Sequence, residues 1–191
     1  MTTFPKTRWT KPAFLFLFLI ICIIPAKAQL YAGGGFGYYK TKENNTGNII
    51  KHFDISPELG YRYQKFSAGL TFSYAFNYYI SQSWSESQYT FEPYFRYDLI
   101  VRKGFGFFTD VFYNCTHFSE HLYWGSDGPV YNSHLVGVSP GVYYKLSDRL
   151  MALFRFGFMG YSSSAEANGF EGFGINLSMS TSRIGFYYSF W

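Results

Sequence analysis

Between residues 49 and 64 the chain alternates between apolar and polar positions. Ile49, Phe53, Ile55, Pro57, Leu59, Tyr61 and Tyr63 share one phase, and His52, Asp54, Ser56, Glu58, Gly60 and Arg62 occupy the other. Successive strand side chains point to opposite faces, so this segment is a strand with one greasy and one wet side. Following the phase until turn residues break it predicts strands at 29–40, 49–63, 66–80, 88–101, 105–118, 133–146, 150–161 and 171–191. The connections alternate in length: 41–48 is long, 64–65 short, 81–87 long, 102–104 short, 119–132 long, 147–149 short and 162–169 long. Outer-membrane barrels have an even strand number, short periplasmic turns and longer outer loops. The expected architecture is all-β: an eight-stranded antiparallel up-and-down transmembrane β-barrel with a side-chain-filled lumen and both termini in the periplasm.

The last segment changes phase. Phe173, Ile175, Leu177 and Met179 are in step, and after Ser180-Thr181-Ser182 the apolar set moves to Ile184, Phe186, Tyr188 and Phe190. A tight turn there would give nine strands, whereas a β-bulge flips the phase without reversing the chain. Even parity favours the bulge. Three prolines recur in a common setting, Pro57-x-x-x-Tyr61, Pro93-x-x-x-Tyr97 and Pro140-x-x-x-Tyr144. Proline removes a ladder donor, so each is expected at a bulge or bend.

Alternation alone does not say which face is inside. The apolar phase holds Phe66, Leu70, Phe72, Tyr74, Phe76, Tyr78, Phe91, Phe95, Tyr97, Leu99, Phe154, Phe156 and Phe158. That set is too bulky for the interior of eight strands, which is only just wide enough for side chains. These residues are expected to face lipid. The polar phase then lines the lumen, where Glu58, Glu92, Asp98 and Asp110 meet Arg62, Arg96, Lys145 and Arg155. Isolated charges there are costly, so the expectation is a paired plug and not a water-filled pore.

Residues 1–28 read as a cleaved secretory signal peptide: Lys6, Arg8 and Lys11 precede the apolar run Ala13 to Ile24, and Ala26-Lys27-Ala28 matches a cleavage site before Gln29. The run is shorter than the roughly 20 residues a spanning helix needs. Cys22 follows Ile21, not a small residue, and is read as a hydrophobe of the signal. Removal of this segment changes the charge balance. The chain has 16 Lys+Arg and 12 Asp+Glu, and Lys6, Arg8, Lys11 and Lys27 all lie in the signal, leaving 12 of each. The basic excess that nucleic-acid binding requires is absent from the barrel domain at 29–191. One cysteine, Cys115, remains there; it shares the phase of Val111 and Tyr113 and is expected to face lipid.

The stretches Ile55-Ser-Pro-Glu-Leu-Gly-Tyr61, Val138-Ser-Pro-Gly-Val-Tyr-Tyr144, Leu150 to Tyr161 and Ile184-Gly-Phe-Tyr-Tyr-Ser-Phe190 resemble the outer membrane protein β-barrel domain family. That family contains small porin-like barrels, similar in shape to the outer membrane protein A transmembrane domain. The resemblance implies insertion by the barrel assembly machinery through an aromatic C-terminal strand. Here that signal corresponds to Phe186, Tyr188 and Phe190, with Trp191 one residue beyond the usual end. Outer-membrane lipid as the surroundings, in Gram-negative cells, and a monomeric state are expected.

Few residues suggest chemistry. Gly33-Gly-Gly-Phe-Gly37 lacks the spacing of a phosphate loop and leads into no helix. His117 and Ser119 share a strand phase at the expected rim, next to Glu120, and resemble the His-x-Ser pair of outer-membrane lipid A deacylases. A nucleophilic serine needs a base within reach and an orienting group; Glu120 points away if the strand persists. His117, His121 and His134 are too far apart on strands to share a metal ion, so no metal and no cofactor is expected. Tyr123, Trp124 and Tyr131 in the 119–132 connection are candidates for surface recognition of an unidentified ligand, or for packing on the mouth. The leading expectation is a non-enzymatic barrel serving envelope integrity or surface recognition, with a lipid A-modifying enzyme as the alternative. A diffusion porin is disfavoured by strand number.

Overall fold

A computed structural model describes residues 29–42, 49–80, 84–121, 127–164, 171–177 and 182–190. The signal segment, Tyr123, Trp124 and Trp191 lie outside the described residues. Ten strand segments follow one another: β1 (Gln29–Lys42), β2 (Ile49–Tyr63), β3 (Phe66–Tyr79), β4 (Trp84–Arg102), β5 (Phe105–His121), β6 (Asp127–Lys145), β7 (Leu150–Arg155), β8 (Phe158–Ser164), β9 (Gly172–Asn176) and β10 (Arg183–Ser189). They occupy eight places in the wall. β7 and β8 pair with successive stretches of β6, β9 pairs with β8, and β10 pairs with β7, always antiparallel. β9 and β10 therefore run in the same direction, and the chain does not reverse between them. β10 meets β1 through Tyr31↔Ser189 to Gly34↔Phe186, which closes an eight-stranded antiparallel barrel.

Local chemistry explains the turns and interruptions. Gln64 (φ 54°), Lys103 (φ 38°) and Gly104 (φ 88°) adopt the left-handed backbone that tight hairpins require. Gly157, at φ 57°, separates β7 from β8. The recurrent prolines sit where the ladder lapses on one side. Pro57 lies in the gap between Ile55↔Tyr74 and Glu58↔Thr71, and Pro93 in the gap between Phe91↔Cys115 and Tyr94↔Phe112. Pro140 lies where β6 passes from β7 to β8.

Two expectations are corrected. The 119–132 connection is mostly strand, since β5 runs to His121 and β6 starts at Asp127, with Phe118↔Tyr131 and Ser119↔Val130 in register. Polar residues at these positions read as loop, yet a hairpin that rises beyond the wall needs no apolar face. Phe158 does not join Phe154 and Phe156 on the outside. The residue inserted at Gly157 shifts the phase, so Phe158 packs against the buried cluster with its ring perpendicular to Phe112, 6.4 Å between centroids.

The outer wall is apolar along its whole circumference. Phe36, Leu59, Phe72, Phe95, Ile175 and Phe186 are all exposed, Phe36 at 82%. The core is within the barrel, made of Tyr31, Tyr94, Phe108, Phe112, Leu153, Tyr143 and Tyr187. Each of its six aromatics stands directly across the ladder from a glycine: Tyr31↔Gly60, Tyr94↔Gly69, Phe108↔Gly141, Phe112↔Gly137, Tyr143↔Gly106 and Tyr187↔Gly33. A Cβ at Gly60, Gly69, Gly106 or Gly141 would enter the facing ring. The glycines are what make room for rings inside eight strands.

Candidate functional site

The lumen is built in layers. Nearest the short turns, Arg62 pairs with Asp98, and the Tyr143 hydroxyl donates to the same carboxylate at 3.4 Å. The Arg62 guanidinium lies over the Tyr143 ring, 5.2 Å from its centroid. In the middle, the Glu58 carboxylate accepts from the hydroxyls of Tyr94, of Tyr187 at 2.7 Å and of Thr71 at 3.4 Å, while Tyr31 meets Tyr94 hydroxyl to hydroxyl. Arg96 donates twice to Asp110, at 2.7 and 2.9 Å, a bidentate fork held 4.4 Å above the Phe108 ring and 4.9 Å from that of Tyr94. Toward the loops, Arg155 donates to Glu92 at 2.6 Å and reaches Asp110 at 3.5 Å, and Arg183 donates to Glu92 at 3.3 Å.

All four acids expected in the lumen are buried: Glu58, Glu92, Asp98 and Asp110. Of the four bases, Arg62, Arg96 and Arg155 join them. Lys145 does not; it ends β6 exposed at the short-turn mouth and forms no ion pair among the described residues. Arg183 takes part instead. Its signal was legible, because it is out of step with Ile184 and Phe186 once the phase shift before it is accepted. The inward aromatics were missed because each lies in a polar phase and its glycine lies on another strand, so only the register joins them.

Two cavities flank this plug. One of about 420 Å³ opens at the short-turn end beside Gln29, Arg62, Asp98 and Lys145. One of about 550 Å³ opens at the loop end above Glu92, Arg155 and Arg183. Next to Glu58 and Arg96 there is a void of only about 20 Å³, room for about one water.

The rim residues are not gathered into a site. His117 and Ser119 lie in the outward phase and Glu120 in the inward one, because β5 persists to His121. His117 is exposed and its Nδ1 lies 2.9 Å from Asn132 Oδ1. His134 Nδ1 faces the Tyr113 hydroxyl at 2.8 Å. Among the described residues no three His, Cys, Asp or Glu side chains stand where they could hold one metal ion. Tyr131 stacks on Phe118, 4.7 Å between centroids, so it packs along the hairpin. Cys115 is a free, half-buried thiol in the outward phase. At the C-terminal strand, Phe186, Tyr188 and Phe190 are exposed on the outer wall. The Tyr188 hydroxyl accepts from Arg149 in the adjacent turn at 3.3 Å, which raises the Arg149 pKa above its ordinary value.

A family model described as "Putative MetA-pathway of phenol degradation" matches residues 28–179. No curated protein matches. Among solved structures, the chain is similar to Neisserial surface protein A, with 18% identity over 85% of this chain and 91% of that one and a TM-score of 0.43. It is also similar to in-vitro folded OmpT, an outer membrane protein of Vibrio cholerae, with 16% identity over 87% of this chain and 52% of that one and a TM-score of 0.39. The barrel is established by its own strand register, independently of these likenesses. The outer-membrane barrel type expected from the strand ends is met under a different family description. With residues 28–179 matched, the chain belongs to the outer-membrane-type barrel family described as "Putative MetA-pathway of phenol degradation".

Proposed function

We propose that this protein is an integral outer-membrane barrel that performs no chemistry and carries no ion current, and that it serves envelope integrity or presents its outer hairpins for recognition. The observation that carries the reading is the plug. Buried charges from Arg62–Asp98 through Arg96–Asp110 to Arg155–Glu92, with six rings among them, stand between the two end cavities and enclose a void of only about 20 Å³. The apolar outer wall supports a position in lipid, since open strands there would leave backbone groups unpaired at several kcal/mol each. The short turns then face the periplasm together with both termini, a signal peptide over 1–28 delivers the chain, and the barrel assembly machinery inserts it as a monomer.

Planar-bilayer recording of the purified protein tests this reading. It predicts no stable unitary conductance; a large, steady, ion-selective current would overturn it. Against the lipid A-modifying alternative stands the separation of Glu120 from His117 and Ser119 across the wall. Lipid A mass spectrometry of a deletion strain beside its parent is expected to show the same acylation, and a change restored by the wild-type chain but not by Ser119→Ala would establish the enzyme.

A further inference from the structure

We propose that the short-turn end of the barrel is a basic girdle that gathers anionic phospholipid headgroups from the leaflet around it. The proposal rests on the membrane position argued above and adds the class of lipid that the wall selects.

Residues 29–191 hold 12 bases and 12 acids, but these charges are not spread evenly along the axis. In the plug, Arg62, Arg96, Arg155 and Arg183 are matched by four buried carboxylates. The three short turns and the strand residues that border them carry Lys65, Arg102, Lys103, Lys145 and Arg149 against one acid, Asp148. Three bases and seven acids remain for the loop half. A domain without net charge is therefore polarised, positive at the short turns. All five of these bases are exposed, and none forms an ion pair among the described residues.

Their placement selects the partner. The turns join β2 to β3, β4 to β5 and β6 to β7, so the bases stand at three of the four corners of the wall; β10 closes on β1 at the fourth. A docked protein covers one side, whereas a surrounding ring of charge fits an annulus of lipid. Each turn is also bracketed by exposed apolar residues: Tyr63 and Phe66, Val101 and Phe105, Leu146 and Leu150. The bases thus stand at the edge of the apolar band, at headgroup depth. A soluble polyanion needs no such neighbours. Turn chemistry does not ask for the bases either, since left-handed positions of tight hairpins favour Gly and Asn, yet Lys103 occupies one at φ 38°. Arg149 Nη1 donates to the Tyr188 hydroxyl at 3.3 Å, which holds the guanidinium against the outer wall and leaves its other donors for a phosphodiester. A choline headgroup carries its own cation, which the girdle repels; a glycerol headgroup does not.

Electron spin resonance of the barrel in phosphatidylcholine vesicles, with spin-labelled phosphatidylglycerol or phosphatidylcholine as probe, tests the proposal. Phosphatidylglycerol should associate with the wall about fivefold more strongly, the roughly 1 kcal/mol of two unit charges 4 Å apart in water. Changing all five bases to Gln should remove that preference, with folding verified by heat-modifiable gel migration, and Lys40→Gln with Lys51→Gln at the loop half should leave it intact. Salt at 1 M, where screening acts over about 3 Å, should remove it too. Equal association of the two lipids with the wild-type chain at low salt would overturn the proposal, as would a preference that survives the five changes. Loss of the preference to inorganic phosphate, beyond that caused by chloride of equal ionic strength, would assign the girdle to a soluble anion and overturn it as well. Absence of any motionally restricted lipid would instead contradict the membrane position itself, and the girdle with it.

Discussion

The middle and the loop end of the lumen are lined by the same strands and use polar residues in opposite ways. In the middle, Glu58 and Asp110 each have two or more partners, and every buried ring has a glycine across the ladder to accommodate it. At the loop end, Ser73 Oγ and Asn114 Oδ1 have no hydrogen-bond partner among the described residues, and both residues line a space of about 550 Å³. A barrel of eight strands is narrow enough to be sealed by side chains, but only where ring, glycine and ion pair coincide. Where β5, β6 and β8 present rings and a leucine to polar strands across the axis, the interior stays open. The contrast separates the residues that hold the fold from those free to do something else.

Substitutions should divide along this line. The largest effect is expected from Asp110→Ala, which strips Arg96 of its fork and Arg155 of a second acceptor. Leaving buried cations uncompensated costs about 3–5 kcal/mol, to be read as a lower urea midpoint for unfolding in lipid vesicles. Next is Gly141→Val, whose side chain would occupy the place of the Phe108 ring. Overpacking of this kind costs about 1–3 kcal/mol, and the paired change Gly141→Val with Phe108→Ala should recover part of it. Arg183→Met removes an ion pair whose base is 40% exposed. Screening limits that loss to about 1 kcal/mol or less, visible as a small shift of the midpoint that shrinks in high salt. The smallest effect belongs to Ser73→Ala, within about 0.5 kcal/mol of wild type, since it breaks no hydrogen bond among the described residues. A Ser73→Ala loss as large as that of Asp110→Ala would erase the distinction between the plug and the loop-end cavity.

How much of this was readable from the residues differs between the wall and its contents. The alternation from Ile49 to Tyr63 placed β2 within its observed bounds, and the tight turns at Gln64 and Lys103 lie where the phase breaks. Period two is a local property, and it survives translation into structure. The acids of the plug were legible for the same reason. Lys145 was not, because phase gives direction but not depth, and a residue at the last position of a strand reaches the mouth. Tyr31, Tyr94 and Tyr187 escaped notice because tyrosine suits either face. What decides their side is a glycine on the neighbouring strand, a pairing that no single segment contains. Phe158 was displaced by an interruption at Gly157, where the count of residues no longer tracks the face. The 119–132 hairpin failed through its composition: outside the membrane a ladder can be polar on both sides, and the hydrophobic signal has nothing to report.

The account depends on one arrangement, apolar side chains toward lipid and polar ones toward the axis. Nitroxide labels at Val111 and Tyr113, in the outward phase, and at Ser73 and Asn114, which line the loop-end cavity, test it in reconstituted vesicles when their collision rates with oxygen and with a water-soluble nickel chelate are compared. The outward pair should be relaxed by oxygen and shielded from nickel, and the inward pair should be reached by nickel. The opposite pattern, with nickel at Val111 and Tyr113 and oxygen alone at Ser73 and Asn114, would contradict it.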